Sequence, residues 1–147
     1  MANDNPSDSR YRGGSAAELA AAERIYLAWD DALGKKDLAA SMALYTQDAT
    51  LESLLVSHLL GTDAGIVEGR DNLRSFVRKV YDNPAPARQR YRNGYFSDGK
   101  RLVWEYPRVM PNGQQVDLIE MMELKDGLIH RHRVYWGWYG VKTLDRK

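Results

Sequence analysis

The chain has no cysteine. Disulfides, thiolate nucleophiles and cysteine-based zinc sites are therefore excluded, and a reducing compartment is permitted. An excess of charge of either sign is also missing. Net charge is +1 over 147 residues, so no global field steers the protein towards nucleic acid or an anionic membrane. No apolar run approaches the roughly 20 residues of a membrane span. The polar opening MANDNPSDSRYRGG lacks the apolar stretch of a secretory signal. These features point to a cytoplasmic protein with neither a nucleic-acid nor a membrane partner. Residues 1–14 read as a disordered tail by their composition. Residues 15–147 read as a single domain, because no repeat or linker interrupts them and their length suits one core.

Hydrophobic periodicity places three helices in the first half. Ser15 and Glu18 have the capping-box spacing, in which each side chain bonds the other's backbone N–H. Leu19, Ala22, Tyr26, Trp29 and Leu33 then recur every three or four residues and share a face. Gly34 is the expected C-terminal cap. Asp37 is placed to cap a short helix carrying Leu38, Met42 and Tyr45. DATLES (48–53) reads as a strand. LLVSHLLGTDAGIVEG is apolar without a clean period and reads as a loop with at most a helical turn, of the kind that often walls a cavity. RDNLRSFVRKVYD is a third helix, with Leu73, Phe76, Val77 and Val80 on one face, ended by Pro84 and Pro86.

The period then changes to two. Arg88, Arg90 and Arg92 alternate with Gln89, Tyr91 and Asn93, so the arginines are expected to face water. A strand face turned to solvent fits this pattern better than a nucleic-acid surface. SDGK, PNG and KDG are turns that join four consecutive strands, this arginine-bearing stretch, RLVWEYPRV, QVDLIEMMEL and GLIHRHRVYWGWYGV, into an antiparallel meander. Helices followed by a meander indicate an α+β fold with the helices on one face of the sheet.

Strand parity selects the candidate site, because successive side chains point to opposite faces. Leu102, Trp104 and Tyr106 share one side. Val116, Leu118, Glu120, Met122 and Leu124 share another, and a lone carboxyl group among four apolar residues is costly unless it is protonated or partnered. On the last strand His130, His132, Val134, Trp136 and Trp138 share a face, while Ile129, Arg131, Arg133, Tyr135 and Tyr139 share the other. If Glu120 and His132 both point inward they can exchange protons near neutral pH. The alternatives are a Glu120 at an exposed sheet end or paired elsewhere, and a His132 satisfied by a backbone carbonyl. His130 and His132 also have the i, i+2 spacing that can place two imidazoles on a metal; a third ligand would be needed, with Glu120 or His58 as candidates, but the spacing is common by chance and no metal or other cofactor is expected. Tyr26, Trp29, Tyr45, Trp104, Met122, Val134 and Trp136 are candidate walls of a ligand cavity. His58, with Asp63 in the same apolar segment, is a candidate for its mouth.

The order ALGKKDLAASMALYTQDATLES, then VEGRDNLRSF, then KDGLI and a final strand resembles the nuclear-transport-factor-two-like superfamily over about residues 17–138. The resemblance implies a cone: a curved, largely antiparallel sheet wrapped around a long N-terminal helix, with two shorter helices, the cystatin-like α+β roll. It implies functions ranging from SnoaL-type polyketide cyclases and ketosteroid isomerases to non-catalytic ligand-binding or dimerisation modules. Carried over residue by residue, the isomerase oxyanion tyrosine falls at Trp29, its base at Ser53 and its protonated acid at Glu120. The essential aspartate of epoxide hydrolases falls near Val134, and the pocket histidine of SnoaL-type cyclases matches His132. The expectation is an acid/base enzyme of the SnoaL-like type. It would act on an apolar cyclic molecule by isomerisation, cyclisation, dehydration or hydration, with Glu120 and His132 catalytic and Ser53 among the binding residues. A homodimer through the outer sheet face is also expected.

Overall fold

The computed structural model of the protein describes residues 13–83, 89–90 and 92–144. The expected tail therefore lies, but for its last two residues, outside the described residues, as do Pro84, Pro86, Arg88 and Tyr91 and the side chain of Arg90.

Helix α1 (Ala16–Lys35) starts at the Ser15–Glu18 capping box, with both reciprocal bonds formed. It runs past Gly34. The left-handed residue that ends it is Lys36 at φ 52°, whose N–H reaches the carbonyls of Ala32 and Leu33. Its inner face carries Ala22, Ile25 and Tyr26, while Leu19 stays 45% exposed despite its spacing. Asp37 caps α2 (Leu38–Met42) through Ala40 N–H. That helix stops before Tyr45, which instead opens β1 (Tyr45–Glu52).

The apolar segment read as a loop folds into α3 (Leu54–Leu60) and β2 (Ile66–Glu68). Ser53 caps α3, and Gly61 ends it at φ 64°, a conformation that costs a residue with a Cβ. Seven residues are too few to show a period, which is why the pattern gave no helix. Helix α4 (Arg70–Asp82) follows and buries Leu73 and Phe76.

Strands β3 (Gln89–Arg90), β4 (Phe96–Ser97), β5 (Arg101–Glu105), β6 (Arg108–Val109), β7 (Gln115–Val116), β8 (Leu118–Lys125) and β9 (Leu128–Trp136) complete the sheets, and α5 (Trp138–Leu144) ends the described chain. The main sheet has the order β2-β1-β9-β8-β5-β4, and β3-β6-β7 form a small second sheet. All pairs are antiparallel except β1 with β9. Asp126 and Gly127, both at positive φ, make the tight β8–β9 turn. The curled, open sheet closes over α1 and α4, giving the α+β cone. There are five helices among the described residues, two more than the pattern shows.

Two register breaks decide which side chains face the core. Glu123 pairs with Arg131 but Leu124 pairs with Ile129, so His130 is an extra, bulged residue on β9. On β1, Tyr45 pairs with Ile129 and Thr50 with Arg131. The bulge flips parity below residue 131. Ile129 is buried, and His130 turns to the rim, where it meets Thr46 at 3.2 Å and Asp48 at 3.4 Å. The two histidines thus do not share a face. Among the described residues no group of three potential ligands could hold a metal ion. The strand also ends earlier than its pattern suggests, at Trp136. Trp138 lies in α5, exposed, with Lys142 over its ring, and Tyr139 packs on the core.

Arg92 corrects the expected solvated arginine row. It bonds the Tyr26 carbonyl at 2.6 Å, lies 3.7 Å over the Tyr26 ring and meets Asp30 at 3.4 Å. A guanidinium can cap an aromatic face and satisfy a carbonyl at once, so the chain outside β3 docks onto α1. No helix among the described residues is long and apolar enough to cross a membrane.

Candidate functional site

Glu120 and His132 meet inside the cone. They are 3% and 2% exposed, and Glu120 Oε2 lies 2.5 Å from His132 Nε2. The pairing follows from register. Glu120 stands opposite Val134 on β9, and His132 opposite Met122 on β8, so the two polar side chains sit diagonally on one face. Exposure of Glu120 at a sheet end and satisfaction of His132 by a backbone carbonyl are both excluded. The other imidazole nitrogen, Nδ1, bonds the Tyr45 hydroxyl at 2.8 Å.

The direction of this chain follows from Tyr45. Burial first, and the nearby Glu120 carboxylate second, push its hydroxyl far above the ordinary phenol range. The neighbouring Trp29 pulls the other way, but less strongly. Tyr45 therefore keeps its proton and donates it to Nδ1. Nε2 then carries the imidazole hydrogen and donates to Glu120. The order Tyr45→His132→Glu120 satisfies both buried donors and holds one carboxyl oxygen in place.

Raising a tyrosine's pKa on folding gives stability that is full below the unfolded value, about 10, and is lost as pH rises above it. Tyr81, raised by burial, adds to the same trend. Thermal melts between about pH 9 and 11 should thus show a steeper decline for the native protein than for Tyr45→Phe. Equal slopes would mean that Tyr45 is not the buried phenol described.

A cavity of about 110 Å³ adjoins Glu120 and His132. Trp29 and Leu33 of α1, Phe76, Val77, Val80 and Tyr81 of α4, and Leu51, Leu118 and Val134 of the sheet form its apolar walls. Tyr45, Ser53, Trp136 and Arg108 also reach it. Ser53, with no carboxylate to offer, accepts bonds from Leu55 N–H at 3.2 Å and Trp136 Nε1 at 3.1 Å. Of the expected wall residues, Trp29, Tyr45, Ser53, Val134 and Trp136 line the cavity. Tyr26, Trp104 and Met122 do not line it. Tyr26 and Trp104 pack in an aromatic cluster behind Trp29, and Met122 is core. His58 lies on the exposed side of α3, and Asp63 is exposed beyond it. The contribution of α4 was not read from the sequence, although its apolar face signalled it. Arg108 had no such signal.

A larger hollow, about 440 Å³, lies outside the cone between Asn93, Pro107 and Tyr135. The acids in it, Glu105 and Asp117, are exposed. Size alone therefore does not locate the chemistry, and the smaller cavity holds the buried acid–imidazole pair.

The α+β cone thus buries a polar relay beside an apolar cavity. The chain belongs to the SnoaL-like domain family, which residues 26–132 match, and so to the nuclear-transport-factor-two-like superfamily. No curated protein matches it. Among solved structures, a SnoaL-like protein of unknown function from Burkholderia thailandensis is similar at 16% identity and TM-score 0.67, covering 80% of this chain and 95% of its own. A candidate ketosteroid isomerase from Kribbella flavida is similar at 15% identity and TM-score 0.62, covering 80% and 78%. TerC, co-crystallised with polyporic acid, is similar at 13% identity and TM-score 0.64, covering 84% and 97%. These likenesses show the fold.

Proposed function

We propose that the protein is a cofactor-independent acid/base enzyme that removes and returns a proton on an apolar cyclic substrate held in the cone. The observation that carries this reading is the buried Tyr45–His132–Glu120 chain ending at the cavity. Glu120 is the base. It takes a proton from a carbon next to the substrate's carbonyl, becomes a carboxylic acid, and returns the proton to the same or another carbon. His132 holds the carboxylate through Nε2–H, and Tyr45 fixes the imidazole tautomer. Isomerisation, aldol-type cyclisation and dehydration all begin with such a step. The co-crystallisation of TerC with polyporic acid and the Kribbella flavida neighbour described as a candidate ketosteroid isomerase support a small-molecule ligand. An apolar cavity near 150 Å³ accommodates a single benzene-sized ring, so a cavity of about 110 Å³ favours one ring near the reacting atoms.

Cyclohexanone tests the reading. In D2O, the protein is expected to speed exchange of its α-hydrogens, followed by proton NMR, by at least about 10²-fold over buffer. Exchange at the buffer rate would overturn it in favour of a ligand-binding module.

The same reading takes the outer sheet face as a homodimer contact. Ile119 and Tyr135 stand opposite each other on β8 and β9, and both are exposed, Tyr135 by 51%. Exposed apolar and aromatic side chains of this kind mark subunit contacts. Light scattering should give twice the chain mass, and Tyr135→Glu should return the monomer. A monomeric native protein would refute the contact.

A further inference from the structure

Hydrogen-bond bookkeeping at Ser53 leads beyond the base. A hydroxyl has one hydrogen to give and two lone pairs to accept with. Both lone pairs of Ser53 are taken, by the backbone N–H of Leu55 and the indole N–H of Trp136. Neither group can accept in return. Among the described residues the Ser53 hydrogen has no acceptor. Yet the residue is only 7% exposed and lines the cavity that Glu120 enters. Leaving a buried donor unmade costs about 1–3 kcal/mol, and the cavity is the remaining direction in which an acceptor can lie.

We propose that Ser53, fixed as a donor by Leu55 and Trp136, binds the carbonyl oxygen of a ring ketone and holds the negative charge of its enolate when Glu120 removes the α-proton. This rests on the acid/base reading above and names its substrate class. Positions are exchanged relative to the resemblance, which puts the base at Ser53 and an oxyanion acid at Glu120. Here the carboxylate, oriented by His132, is the base, and the hydroxyl is the oxyanion donor. The step balances. The α C–H bond breaks, its proton passes to Glu120, and its electron pair moves into the enolate, whose oxygen accepts the Ser53 hydrogen bond. No oxidant or co-reactant is needed. The indole of Trp136 is a positioning group. By occupying one lone pair it stops the hydroxyl from rotating its hydrogen away from the ligand.

Cyclohexanone and fluorobenzene, rings of similar size with and without a carbonyl acceptor, are the probes. Both are expected to bind the native protein. Ser53→Ala should weaken cyclohexanone roughly three- to tenfold, the worth of one hydrogen bond, and leave fluorobenzene, followed by 19F NMR, unchanged. The carbonyl stretch of bound cyclohexanone should shift to lower frequency in the native protein and in Ser53→Thr, which keeps both the hydroxyl and the cap of α3, but not in Ser53→Ala. If Ser53→Ala unfolds α3, the native and Ser53→Thr spectra still decide. An unshifted carbonyl in the native protein, or equal cyclohexanone affinity in Ser53→Ala, overturns the role of Ser53 alone and leaves the base assignment to the exchange experiment. Failure of both probes to bind overturns the pocket reading and this inference with it.

Discussion

Glu120→Gln is expected to lower α-hydrogen exchange in cyclohexanone by about 10²- to 10⁴-fold, the share that a positioned general base supplies, while the protein stays folded and still binds the ketone. The two expectations separate for a physical reason. Glutamine has nearly the shape of glutamate, and its carbonyl oxygen can accept the same bond from His132 Nε2–H. The relay from Tyr45 through His132 therefore keeps every partner. What is lost is the charge and the lone pair that takes a proton. The substitution also removes a buried ionised group, which is costly to hold in an apolar wall, so melting should stay within a few degrees of the native value or rise. His132→Gln should be less severe in exchange but worse in stability, because it strands Tyr45 and Glu120 together. A Glu120→Gln protein exchanging α-hydrogens at the native rate would remove the carboxylate from the chemistry, whatever the fold.

Strand alternation was sufficient to find the pair, because Glu120 and His132 lie on regular stretches of β8 and β9 where the two-residue period holds without interruption. The same rule misplaces His130 and Ile129. A single bulge, at His130, flips the parity below residue 131, and bulges have no signature in a pattern of polar and apolar residues. The capping box at Ser15, the Asp37 cap and the Asp126–Gly127 turn were legible for a different reason. Each is a local contact between residues at most three apart, so its chemistry is written in adjacent letters. The partners that give the site its direction were not legible. Tyr45 reaches His132 across 87 positions, and Trp136 reaches Ser53 across 83. Such contacts come from the curvature of the sheet, which periodicity does not encode. Arg92 shows the limit most plainly. Alternation sends it to water, but a carbonyl, an aromatic face and a carboxylate on α1 together outbid solvent.

Trp104 separates core from cavity most sharply. It is 1% exposed and stands edge-on to Tyr26, at 5.4 Å between ring centroids, and to Trp29, at 5.2 Å. Trp29 in turn lies against His132 at 6.3 Å. Trp104→Ala should cost about 3–5 kcal/mol, a third or more of the stability of a typical domain, and lower the melting temperature by roughly 10–15 °C for a chain of this length. Exchange should fall too, because a void behind Trp29 lets the indole swing away from His132. Binding and turnover then weaken together, unlike in Glu120→Gln. Trp104→Phe should behave quite differently. The Trp104 indole N–H is buried without a partner among the described residues, a cost of about 1–3 kcal/mol. Phenylalanine removes that unmet donor and keeps an aromatic ring against Tyr26 and Trp29. The smaller ring leaves a gap of comparable cost, and the two effects nearly cancel. Differential scanning calorimetry of the two variants checks this directly. A phenylalanine variant as unstable as the alanine one would mean that the indole N–H does have a partner, and that the aromatic cluster is held by a polar contact rather than by packing.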